Sequence, residues 1–78
     1  MSGANKRTVQ KRDDGKWESR APGAARASAV GDTQREVIDR TREILANDGG
    51  GELAVRGLDG QIRKQDTISP GNDPRGRG

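Results

Sequence analysis

The seven residues Arg12-Asp13-Asp14-Gly15-Lys16-Trp17-Glu18 set the single aromatic side chain of the protein among cations. Arg7, Lys11, Arg12, Lys16, Arg20 and Arg26 all lie within the first third of the sequence. Cations at that density can neutralise phosphates, and an exposed indole can stack on a base. The same tryptophan can instead be the one large plug of a small core. The two readings need opposite orientations of Trp17, so the strand that carries it decides between them.

Little other chemistry is on offer. The sequence has no histidine and no cysteine. The commonest general acid or base near neutral pH and the usual soft metal ligands are therefore missing. Ser19, Ser28 and Ser69 have no such partner to activate them. Asp13, Asp14, Asp59 and Asp73 each stand at a turn marked by glycine or proline, where side-chain to backbone hydrogen bonds account for them. Gly49-Gly50-Gly51 follows a helix instead of opening one, so it stops the helix and does not cradle phosphate. These residues predict a protein that is not an enzyme, with no cofactor, no metal and no small-molecule ligand.

The totals set the scale. Seventy-eight residues make one domain, and with 27% apolar and 35% charged residues its core must be small. No apolar run approaches the roughly 20 residues that cross a bilayer, and Met1 to Arg7 lacks the apolar stretch of a secretory signal. A soluble, cytoplasmic protein is the expectation. The net charge of +3 is unevenly placed. Lys6 to Arg26 carries +4, Ala27 to Asp73 carries −3, and Arg75 with Arg77 adds +2. Such polarity can hold a polyanion at one end or orient two copies of the protein.

The elements that position these residues follow from spacing. Arg7 to Arg12 and Lys16 to Arg20 read as a hairpin, with Gly15 in the left-handed position of the turn. A period of two puts Trp17 and Ser19 on one face with Val9, and Glu18 and Arg20 on the other. Pro22-Gly23 ends the second strand, and Ala27 to Val30 is a candidate third. Thr33 caps a helix over about 33–47, with Glu36 completing a capping box. Val37, Ile38, Thr41, Ile44 and Leu45 form its apolar stripe. Glu52 to Arg56 alternates as a half-buried strand. Asp59-Gly60 then favours a tight primed hairpin turn into Gln61 to Arg63. The sum is an α+β two-layer domain, an antiparallel sheet of order β-β-(β)-α-β-β on one helix. Residues 1–6 are expected to be a disordered tail, 7–66 the domain, and 67–78 a mostly flexible tail. The expected core is Val9, Trp17, Val30, Val37, Ile38, Ile44, Leu45, Leu53, Val55 and Ile62.

These segments, in the order DDGKWE, GAARAS, DTQREVIDRTREI, GELAVRGLDGQIR and GNDP, resemble a family of small bacterial proteins called domain of unknown function twenty-one eighty-eight. The resemblance runs from about Thr8 to Pro74 and implies the same hairpin–helix–hairpin order, with no activity or ligand to carry over. Relatives tend to hold an apolar residue at Ser19, a bulky one near Gly31 and a tyrosine near Pro70, which implies a thinner core here. The first half is also similar to the arm-binding domains of tyrosine recombinases, whose three-stranded sheet enters a DNA groove.

The helix stripe needs a large counterpart, and only Trp17 can supply it. Burial of Trp17 removes the stacking platform and weakens the nucleic-acid reading of Arg7, Lys11, Arg12, Lys16, Arg20 and Arg26. The sequence therefore points first to a binding or accessory module acting through a protein partner or a homodimer. Salt-sensitive nucleic-acid binding by the first hairpin is the alternative. Trp17, Gly15, Thr33, Asp59 and Gly60 are read as structural residues.

Overall fold

A computed structural model describes residues 5–70 of the protein. Its elements are β1 (Lys6–Lys11), β2 (Trp17–Arg20), β3 (Ala29–Gly31), α1 (Gln34–Asn47), β4 (Gly51–Arg56) and β5 (Ile62–Ile68). One five-stranded sheet of order β3-β2-β1-β4-β5 lies under the single helix, an α+β arrangement as expected.

Both hairpins use one local solution. In Arg12-Asp13-Asp14-Gly15 the Gly15 N–H donates to the Arg12 carbonyl at 3.2 Å, and in Gly57-Leu58-Asp59-Gly60 the Gly60 N–H donates to Gly57 at 3.0 Å. Gly15 and Gly60 both take positive φ, 90° and 84°, where a side chain is costly. Asp14 accepts from the Lys16 N–H and Asp59 from the Gln61 N–H, at 3.0 and 3.1 Å. The second turn is therefore a four-residue turn with Gly60 closing it, not the two-residue primed turn that Asp-Gly alone suggested.

The sheet is mixed rather than antiparallel, because β1 and β4 run parallel, Arg7 beside Leu53 and Val9 beside Val55. The helix explains this. Two antiparallel steps leave β3 running in the direction of β1. Fourteen helical residues, about 21 Å, then carry the chain back to the end where β1 starts. A strand that begins there and pairs with the free edge of β1 must run parallel to it.

Thr33 caps the helix as its residues predict, but Glu36 does not complete the reciprocal capping box, because its carboxylate takes the N–H of Asp32 and not that of Thr33. Thr33 is extended and accepts the Glu36 N–H at 3.1 Å, while Glu36 Oε1 accepts the N–H of Asp32 at 3.0 Å. The buried cluster is Val9, Trp17, Val37, Leu45, Leu53, Val55 and Ile68, with Ile38 packed against it. Val30 and Ile62 do not belong to it, being 47% and 41% exposed. Val30 pairs with Glu18 and so faces away from the helix. Ile62 pairs with Arg56 beyond a register shift at Val55/Arg56, which turns it to the same outer side. Ile44 is only half-buried, at the margin of the helix stripe.

The domain limits also move. Lys6 already belongs to β1, and Thr67 and Ile68 complete β5, with Ile68 paired to Gly51 and buried. Ile68 joins the buried cluster that holds Leu45 and Leu53. Of the two expected tails, residues 1–4 and 71–78 lie outside the described residues.

Candidate interaction surfaces

Trp17 is buried, 9% exposed, on the helix side of β2. Lys11, its partner across the hairpin, places Nζ 5.5 Å from the ring centroid. The indole is thus capped by a cation and closed to a base. Ser19, on the same face, is fully buried, and its hydroxyl has no hydrogen-bond partner among the described residues.

The six candidate cations do not form one surface. Arg7 lies on the helix side, donating to Ser28 Oγ at 2.9 Å and Asn5 Oδ1 at 2.5 Å, and sits 3.8 Å from Asp48 at the helix C-terminus. A cation there complements the helix dipole. Arg12 pairs with Asp14 at 3.3 Å and approaches Glu18 at 3.9 Å. Lys16 donates to Asp32 at 2.7 Å. That bond raises the Lys16 pKa and lowers that of Asp32. Arg26 is exposed and makes no ion pair among the described residues.

Arg20 reaches the outer face of the sheet, as expected, but is committed there. Its Nε and Nη2 donate to the two oxygens of Glu18, at 3.1 and 3.0 Å. Nη1 donates to the carbonyls of Ala24 and Ala25 and so folds the β2–β3 loop onto the sheet. Gln10 adds a third bond to Glu18 at 2.8 Å. These donors hold the Glu18 carboxyl below the usual carboxylate range, the Arg20 bond foremost. Glu18 is 6% exposed and Ala54 1%, so this face is partly closed and not the fully wetted surface that its alternation suggested.

Two of the concave surfaces bear on binding. On the outer face, Lys6, Thr8, Gln10, Arg20 and Arg56 line a shallow depression walled by Ala21-Pro22-Gly23, with no carboxylate in its lining. On the opposite margin a groove of about 600 Å³ runs between the edge of β3 and the flank of α1. Ala29 and Val37 line it from the helix side of the sheet and the helix, Ser28 and Val30 border it along the β3 edge, and Glu36, Asp39, Arg40 and Glu43 line it from α1. Sequence reasoning missed this groove, because nothing in the spacing shows that β3 is an edge or which helix flank overhangs it. No group of three or more acidic residues among the described residues could hold a metal ion.

The described residues define a small helix-on-sheet domain of the α+β class with shallow concave surfaces. The chain belongs to the family described as uncharacterized proteins conserved in bacteria (DUF2188), which matches residues 6–68. It is similar to uncharacterized protein YdaT of Bacillus subtilis (strain 168), 39% identical over 49 residues, covering 63% of this chain and 32% of that protein. The chain therefore spans about a third of the length of this relative. No solved structure matches it. The likeness to arm-binding domains gains no support from these comparisons, and β4 and β5 extend the sheet past the three strands it implied. No helix among the described residues is long and apolar enough to cross a membrane.

Proposed function

We propose that this chain is a non-enzymatic cytoplasmic binding module that works by protein interaction or self-association, through the β3–α1 margin. The observation that carries this reading is the groove beside an edge strand. Among the described residues β3 pairs only with β2, so one row of its backbone donors and acceptors faces outward. By contrast, Arg7, Arg12, Lys16 and Arg20 of the first hairpin are spent on partners within the chain. Sedimentation velocity at two concentrations tests self-association, with Val30→Lys as the comparison. Concentration-dependent growth that Val30→Lys abolishes supports it. A monomer throughout, with no peptide bound at this margin, overturns the reading.

Nucleic-acid binding stands second, favoured by Lys6 and Arg56 in the depression on the outer face, whose lining holds no carboxylate. An electrophoretic mobility assay over roughly 50 to 300 mM salt decides it. Binding that weakens steeply with salt and is lost in Lys6→Glu with Arg56→Glu would promote this reading over the first. No shift at the lowest salt removes it.

A further inference from the structure

The two edges of the sheet are guarded differently. β5 carries Arg63, Lys64, Gln65 and Asp66 in succession, and a register shift bends its pairing with β4. Charge and irregularity of this kind keep other strands from adding to an edge. β3 carries Ala29-Val30-Gly31, without charge or proline, and its outward side opens onto the groove under α1. Among the described residues only its shortness protects it.

We propose that the β3 edge takes up an extended, basic segment of a partner protein as a sixth strand, with alternate lysine or arginine side chains lying under α1. The assignment rests on the reading of this margin as the binding surface and names its ligand. Strand addition supplies the backbone hydrogen bonds, and the groove supplies selectivity. Side chains of an added strand alternate between the helix side and the outer side. On the helix side they meet Asp39 and Glu43, four residues and about 6 Å apart along the helix. Alternate residues of an extended strand stand about 6.8 Å apart, so two cations in a basic–x–basic pattern match these two carboxylates.

The two carboxylates are available. Their helix partners, Arg35 to Asp39 at 4.0 Å and Arg40 to Glu43 at 3.7 Å, are long and exposed, and such pairs contribute little. Glu36 is already bound to the Asp32 N–H and serves the helix cap instead. The stems of the incoming cations would lie over Val37 and Ala29. On the outer side the intervening residues meet Val30, which is 47% exposed, and apolar β-branched residues suit that contact. The chain as a whole is +3, so general electrostatics disfavours a basic ligand. Attraction has to be local to the acidic flank of α1.

The test is a titration of the ¹⁵N-labelled full chain with a synthetic peptide of alternating arginine and valine. Amide shifts confined to residues 28–31 and 36–43 are expected. Methylating the backbone nitrogen of every second peptide residue leaves charge intact but removes strand hydrogen bonds, and should weaken binding about tenfold or more. Asp39→Lys with Glu43→Lys on the exposed helix flank should weaken it by a similar factor. Equal affinity for the methylated peptide, shifts centred on Lys6, Thr8 and Arg56, or no binding at about 1 mM peptide would each overturn the assignment. If the peptide fails while the chain self-associates through Val30, the interaction reading stands and this ligand falls.

Discussion

Arg20 grips both carboxylate oxygens of Glu18, two residues away on the same strand, at 3.0 and 3.1 Å. Residues at that spacing share one face of a strand, so the pair forms without help from any other element. Gln10 across the hairpin and the carbonyls of Ala24 and Ala25 then complete the coordination of both partners.

This pair gives the protein an acid-sensitive contact. The folded state holds the Glu18 carboxyl below its unfolded value, so its stabilisation is fully present above the unfolded carboxylate pKa. It is lost as pH falls through the folded value. Thermal midpoints should therefore drop on acidification below about pH 5. In Glu18→Gln that slope should flatten, with about 1–2 kcal/mol lost at neutral pH. Thermal melts of both proteins from neutral to acid pH check this, and parallel slopes would refute it.

Trp17 should emit at short wavelength, protected from soluble quenchers, because it is only 9% exposed. Trp17→Ala should cost about 3–5 kcal/mol. A single core in a domain of this size rarely supplies more than about 3–5 kcal/mol, so this variant is expected to be largely unfolded by circular dichroism.

Ser19 wastes a buried position. Its hydroxyl has no partner among the described residues, and a buried unpaired group costs about 1–3 kcal/mol. Ser19→Ala should therefore stabilise the protein by about 1 kcal/mol and raise Tm by about 4–8 °C. A lower urea midpoint in this variant would show that the hydroxyl has a role the structure does not account for.

The two isoleucines of β5 should behave oppositely. Ile68 is buried against the core and Ile62 is 41% exposed. Ile68→Ala should cost about 2–4 kcal/mol, and Ile62→Ala under about 1 kcal/mol. Equal losses in urea unfolding would contradict the register of β5.

Thr33→Ala should remove about 1 kcal/mol by freeing the Glu36 N–H. Thr33→Asp, which keeps an acceptor, should restore most of it in the same melts.

Much of this was legible in local spacing. Gly15 and Gly60 mark turns because only a left-handed residue closes them, and Thr33 marks the helix start because its hydroxyl fills an orphan donor. The period of two in Trp17-Glu18-Ser19-Arg20 settled that Trp17 is core and Arg20 is not. These are interactions between residues a few positions apart, and the sequence by itself determines them. Strand order, the parallel β1–β4 pair, the burial of Ile68 and the exposure of Val30 depend on contacts between distant segments. Their outcome turns on where a 14-residue helix returns the chain and on one register shift. Only the tertiary structure decided that β3 is an edge, and so only the folded chain shows a groove between the β3 edge and the acidic flank of α1.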